Sequence, residues 1–276
     1  MSECNGNCAS CGSACEKKDL MVSLNEVSTV SHTFAVVSGK GGVGKSMTTA
    51  MLASLFARKG YKVGILDADV TGPSIPKMFG AQVQATGDDL GINPVVTASK
   101  IKLMSINLLL EDVESPVVWR GPMIADVVKQ FWSDVNWGDI DIMFIDMPPG
   151  TGDVPLTVFQ SLPVEGVITV TTPQELVSLI VKKACNMAEM MNIPMLGLVE
   201  NMSYAVCPDC GKKIEVFGKS KTAEVAKALH LPLLAQIPFD AKLAQLCDEG
   251  EIERVTDQYM GAAVEEIEQK YLKDLK

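Results

Sequence analysis

The residues whose types and spacing could do chemistry come early. Gly39-Lys40-Gly41-Gly42-Val43-Gly44-Lys45-Ser46 matches G-x-x-x-x-G-K-[ST]. Such a run binds a polyphosphate. Its glycines let backbone N–H groups wrap the anion with no β-carbon in the way, and the helix that follows adds partial positive charge. In that reading Lys45 reaches the β- and γ-phosphates and Ser46 ligates Mg²⁺. Two acidic segments could complete the chemistry: Asp67-Ala68-Asp69, and Asp146-Met147-Pro148-Pro149-Gly150-Thr151-Gly152-Asp153. Asp146 closes an apolar run, so it is a hard oxygen ligand for Mg²⁺, direct or through water. Asp69 is placed to orient or deprotonate an attacking water, the competing role being a helix N-cap; Asp153 reads as a cap. The N–H of Gly150 could sense a γ-phosphate.

These residues need elements to hold them. The β-branched run 34–38 leads into the loop, and apolar residues at helical spacing over 44–59 lead out of it, ending at Gly60. Further on, strands are expected at 62–67, 101–107, 140–146, 166–171, 195–200 and 233–237. Helices are expected near 122–132, 154–161, 174–191, 220–229 and 240–248, with a last acidic helix from about Asp257. A Gly/Pro loop fills the stretch to Gly80, and an irregular insert follows Glu200. Continuously apolar strands alternating with helices give an α/β fold with a doubly wound, mainly parallel sheet. The acidic segments end the second and fourth of these strands, where ligands gather in such sheets. One ATPase domain, 31–276, follows a Cys-rich tail, 1–30.

The chain has 276 residues, 47% of them hydrophobic, and a formal charge of −10. That composition argues against disorder, and the charge gives no footprint for nucleic acid or anionic membranes. No membrane-spanning run and no export signal is read, so the cytoplasm is the expected compartment. Of eight cysteines, Cys185 and Cys247 stand alone on expected helices and read as small buried hydrophobes. The others cluster as Cys4-x3-Cys8-x2-Cys11-x3-Cys15 and Cys207-x2-Cys210. In a reducing compartment such clusters are metal or redox sites. The front four could ligate a [4Fe–4S] cluster or zinc; the late pair could serve a cluster, a bridging zinc, a redox dithiol or a structural turn.

Lys40, just after the first glycine, is the extra lysine of the deviant Walker-A ATPases, P-loop NTPases of the SIMIBI, MinD-like kind. Within that group the chain resembles the Mrp/ApbC family of iron–sulfur cluster carrier proteins over about residues 30–250. The resemblance rests on the phosphate loop, Asp67-Ala68-Asp69-Val70-Thr71-Gly72-Pro73-Ser74-Ile75-Pro76-Lys77, Trp119-Arg120-Gly121-Pro122-Met123, the Asp146–Asp153 segment, and Val199-Glu200-Asn201-Met202-Ser203 followed by Cys207-Pro208-Asp209-Cys210-Gly211. It implies a homodimer binding ATP at its interface, with Lys40 reaching the opposite subunit's nucleotide and Asn201 reading adenine. It also implies that Cys207 and Cys210, in the insert 203–217, meet their symmetry mates around one [4Fe–4S] cluster. One C-x-x-C has two thiolates, a cubane needs four, and a two-fold axis supplies the rest. The chain departs from the family at Met47, where a hydroxyl residue is usual, and in the short spacing of its front cysteines.

The function expected is an ATP-dependent carrier that assembles a cluster and delivers it to apo-proteins, with slow hydrolysis acting as a conformational switch. The competing reading is a targeting or positioning ATPase whose dimer is stapled by zinc. For that reading the Met-rich stretch 187–195 would be a cargo groove, whereas its spacing fits a buried helix running into a strand.

Overall fold

A computed structural model describes residues 20–70, 72, 74–110, 121–174 and 177–275. Cys4, Cys8, Cys11 and Cys15, and Trp119-Arg120, lie outside the described residues. The strands are β1 (Thr29–Ser38), β2 (Val63–Asp67), β3 (Thr86–Asp88), β4 (Gly91–Asn93), β5 (Val95–Val96), β6 (Lys102–Met104), β7 (Asp139–Asp146), β8 (Gly166–Thr171), β9 (Met195–Glu200), β10 (Ala205–Val206), β11 (Lys213–Ile214) and β12 (Leu233–Gln236). The helices are α1 (Lys45–Arg58), α2 (Ile75–Met78), α3 (Gly121–Ser133), α4 (Asp153–Ser161), α5 (Val177–Met190), α6 (Thr222–Ala228), α7 (Ala241–Glu249) and α8 (Gly261–Tyr271).

The main sheet runs β12-β9-β8-β1-β7-β2-β6-β5. All its pairings are parallel except β5 with β6 at the edge. Strand pleat sends alternate side chains to opposite faces. Phe34, Val36, Ile65 and Phe144 therefore pack with α1, α7 and α8, while Ala35, Val37, Leu66, Met143 and Ile145 pack with α3, α4 and α5. Both faces are covered, which is why the strands read as unbroken apolar runs. Truncating a ring such as Phe144, which lies 5.8 Å from Phe56 and 6.2 Å from Phe34, would cost about 3–5 kcal/mol.

Several expectations shift. The packed body begins before the expected boundary at 31. Val22 donates its N–H to the Ser161 carbonyl, accepts from Trp132 Nε1, and packs with Leu24 on the core. The stretch before Gly80 contains α2, for which Pro76 is a good first-turn residue. The strand expected over 101–107 ends at Met104, and a 3-10 turn covers Ile106–Leu108. The helix expected from Asp257 starts at Gly261. The insert after Glu200 is ordered as the hairpin β10–β11. Gly152 occupies the α4 N-cap without a side-chain cap, so Asp153 is one place further in and acts on the helix dipole instead. Met187, Met191 and Met195 join the core, as burial spacing requires, and only Met190 is largely exposed. Among the described residues no helix is long and apolar enough to cross a membrane.

Candidate nucleotide and cysteine sites

β1, β7 and β2 lie side by side, so their carboxyl ends bring Ser38, Asp146 and Asp67 together; Asp67 and Asp146 are register partners. The phosphate loop Gly39–Gly44 leaves β1 and turns into α1. Two of its glycines are required for different reasons. Gly42 has φ +74° with nothing within 4 Å of an added β-carbon, so its need is conformational. Gly44, at φ +85°, caps α1, and a β-carbon there would lie 2.1 Å from Asn201 Nδ2. The open side of the loop is a cavity of about 240 Å³ lined by Gly41, Gly42, Lys45, Ser46, Asp69 and Pro149, among others. Larger grooves of about 900 and 630 Å³ border Gly80 but carry no such loop, so converging backbone and charge mark this site, not volume.

Lys45 is 6% exposed, with Nζ 2.8 Å from Asp146 Oδ2 and 3.4 Å from Asp69 Oδ2. Burial pulls its pKa down, but Asp146, then Asp69 and Asp67, outweigh burial and hold it above the ordinary 10.5. Ser46 donates to the same Asp146 Oδ2 at 2.6 Å, and Thr49 donates to Oδ1 at 2.8 Å. Asp67 is fully buried; desolvation first, then Asp146, raises its carboxyl well above 3.8, against the pull of Lys45 and of the Ser105 hydroxyl at 2.9 Å. The oxygens of Ser46 and Asp146 thus meet beside the Lys45 ammonium, with Asp67 next to Asp146 across the sheet, a donor set suited to Mg²⁺.

Not every expected residue points where expected. Lys40 donates to Gln174 of its own chain. Gly150, at φ +90°, gives its N–H to the Ser38 carbonyl at 2.8 Å. Asn201 is buried and donates Nδ2 to the Val43 carbonyl at 2.9 Å, beneath the loop. Met47 is half-buried against the core and borders the cavity. Sequence reasoning missed Thr49 and Ser105. Thr49 sits one turn beyond Lys45, a spacing that a helix starting at the loop makes visible; Ser105 needs the β2–β6 pairing, which no local pattern shows.

The late cysteines lie in the turn of the β10–β11 hairpin. Cys207 donates its N–H to the Lys212 carbonyl, and its carbonyl accepts from Gly211, whose φ of +69° closes the turn. The backbone N–H groups of Cys210 and Asp209, followed by the Cys210 thiol, point at the Cys207 sulfur and hold its pKa below 9.0. Donors aimed at sulfur favour the thiolate, the form that metals bind. Cys210 is exposed and Cys207 half-buried, so the pair is accessible. Burial instead pushes the thiols of Cys185 and Cys247 up; both pack against the core, half-buried where full burial was expected.

Residues 29–272 match the model of a ParA-type family described as the NUBPL iron-transfer P-loop NTPase. The chain is similar to the iron-sulfur cluster carrier protein of Methanocaldococcus jannaschii, 46% identical over 260 residues covering 91% of this chain and 90% of that protein. It is also similar to the protein of the same name from Methanococcus maripaludis, 44% identical over 258 residues, covering 90% and 89%. Among solved structures it is similar to a nucleotide-binding protein in complex with ADP from Archaeoglobus fulgidus, with a TM-score of 0.74 and 44% identity over 82% of this chain and 88% of that one. The cell division ATPase MinD of Pyrococcus furiosus shares the fold, with a TM-score of 0.62 and 21% identity over 86% of this chain and 98% of that one. Because the family model spans residues 29–272, a range that holds the phosphate loop, the aspartate cluster and the late cysteine hairpin, the chain belongs to the NUBPL-type iron-transfer P-loop NTPase family.

Proposed function

We propose that this chain is an ATP-dependent iron–sulfur cluster carrier. It works as a homodimer in a reducing cytoplasm, assembling a [4Fe–4S] cluster on Cys207 and Cys210 of two copies and passing it to apo-proteins. Neither nucleic acid nor membrane is a partner. The observation that carries this reading is the hairpin turn: its N–H groups preorganise a thiolate, yet the turn itself brings only two thiols. Among the described residues no further His, Cys, Asp or Glu gathers with it into a metal-binding group. A second copy is the economical source of the missing ligands. The front cysteines Cys4, Cys8, Cys11 and Cys15 are proposed as a second cluster site, iron and sulfide being favoured over zinc.

ATP is the substrate that drives the switch. The Lys45–Asp146 pair ties the loop to the end of β7; an arriving triphosphate draws Lys45 to its β- and γ-oxygens and frees Asp146 Oδ2. Mg²⁺, when bound, neutralises charge on those oxygens, with Ser46 and Asp146 as its holders, Asp67 behind them, and Thr49 fixing the Asp146 rotamer. The γ-phosphate competes with the Ser38 carbonyl for the Gly150 N–H, so that peptide moves with nucleotide state. Asp69 orients the attacking water, whose oxygen bonds the γ-phosphorus as the bond to the β-bridging oxygen breaks. Lys40 swings from Gln174 to the partner's nucleotide, and Asn201 reads the adenine edge. The small cavity is consistent with a partner supplying its remaining walls. Hydrolysis is slow because its role is timing.

Anaerobic reconstitution with iron and sulfide tests the reading. The expected product is brown and binds iron and acid-labile sulfide. Cys207→Ala with Cys210→Ala loses the interface cluster while sparing the front one. Zinc alone in the anaerobically purified protein, or unchanged iron in the double variant, contradicts the reading. Lys45→Ala should lose ATP turnover by at least about a hundredfold, the scale of a lost electrostatic group at a reacting phosphate, and still accept a cluster.

A further inference from the structure

Glu200 ends β9 and is 0% exposed. Its carboxylate accepts from the hydroxyls of Ser203 and Ser220 and from Gln236 Nε2 at 3.0 Å. Among the described residues it forms no ion pair. A buried carboxylate satisfied by hydroxyls and an amide alone is a costly way to fill a core, since apolar side chains would do so without desolvating a charge. What it grips is specific. Ser203 and Ser220 are the two feet of the segment that carries the Cys207–Cys210 hairpin, one before β10 and one after β11. The adjoining residue faces the other way: Asn201 donates to the Val43 carbonyl of the phosphate loop and lies against Gly44. Between Asn201 and Ser203 the chain turns through Met202 at φ +55°, a left-handed conformation that costs a bulky residue about 1–2 kcal/mol. A strained residue therefore links the loop contact to the hairpin clamp.

We propose that Glu200 is a positioning residue that holds both feet of the cysteine hairpin and, through Asn201, couples the hairpin to the nucleotide state of the phosphate loop. The inference rests on the reading of Cys207 and Cys210 as the cargo site, but it concerns the movement of the hairpin and not what the thiols hold. A shift of Val43 on nucleotide binding moves Asn201, and the Glu200 clamp transmits that shift to both hairpin feet together. Without the clamp the loop still binds nucleotide, and the hairpin stops responding.

The test uses the full, reduced, cluster-free chain. Alkylation rates of Cys207 and Cys210 by iodoacetamide are followed by peptide mass spectrometry with and without saturating Mg·ATP. In the wild type the rate should differ at least threefold between the two conditions. In Ser203→Ala with Ser220→Ala the difference should shrink below 1.5-fold, while ATP affinity stays within twofold of wild type. A double variant that keeps the wild-type response overturns the proposal. So does a wild-type chain that binds ATP with no change in alkylation. If the double variant unfolds or loses ATP binding, Ser220→Ala alone carries the test and should lose at least half of the response; retention of the full response overturns the proposal. Since alkylation needs no cluster, failure here is separable from failure of the carrier reading, which metal and sulfide analysis decides.

Discussion

Lys45, Asp67, Asp69 and Asp146 form a charge cluster with more carboxylates than cations, and the excess falls on Asp67, which is fully buried and holds its proton well above pH 3.8. A folded-state pKa raised above the unfolded value means stability that is full below about 3.8 and lost as pH rises through the folded pKa. Asp67→Asn should therefore stabilise the nucleotide-free protein by about 1–3 kcal/mol at pH 8, have no such effect at pH 3, and impair ATP turnover. Thermal melts across pH check the sign, and equal melting temperatures at pH 8 would contradict it. The thiols divide in the same manner. Cys207 should react with iodoacetamide at pH 7.5 at least about tenfold faster than Cys185 or Cys247, as peptide mapping would show, because backbone donors lower its pKa while burial raises theirs. At this scale the sequence was informative where a motif marks the residue: Lys45 and Ser46 close the phosphate loop, Asp146 ends an apolar strand, and the three converge. The role of Glu200 was not legible, because no motif links it to its partners Ser220 and Gln236, and only the β9–β12 pairing brings the latter near.

The phosphate loop, with β1 before it and α1 after it, is the element on which the nucleotide site depends, and its glycines separate two kinds of cost. Gly42→Ala meets open space, so only the left-handed φ is penalised, about 1–2 kcal/mol of stability. Gly44→Ala adds a clash with Asn201 and should cost more stability than Gly42→Ala and at least about tenfold in ATP affinity. Calorimetric titration with paired melts separates these, and equal losses for the two variants would contradict the geometry. Long buried strands and the helices with clear apolar spacing were readable from pattern alone, because burial on both faces leaves an unbroken hydrophobic run. Short elements were not. α2 has four residues, and the strands of the β3–β4 and β10–β11 hairpins have only two or three each, too few for a period to show, so nothing in their local sequence distinguishes them from loop.

On the scale of the whole molecule, the described residues present a phosphate cradle of about 240 Å³ and an accessible thiol pair, Cys207 and Cys210, each reading as part of a larger site. Exposed apolar side chains surround the hairpin in sequence: Val206, Ile214, Val216 and Phe217, the last with its ring 5.8 Å from that of Phe239 and tilted by 44°. Such a surface is suited to burial against a second copy. With −10 net charge two copies repel at long range, so low salt should weaken the proposed pairing unless cluster and nucleotide bridge it. The most direct test replaces Cys4, Cys8, Cys11 and Cys15 by Ser, reconstitutes the chain anaerobically, and weighs it by native mass spectrometry. The account predicts a species of two chains carrying one [4Fe–4S] cluster that disappears when Cys207 and Cys210 are also replaced. A single chain holding a complete cluster, or a dimer holding only zinc, would contradict it.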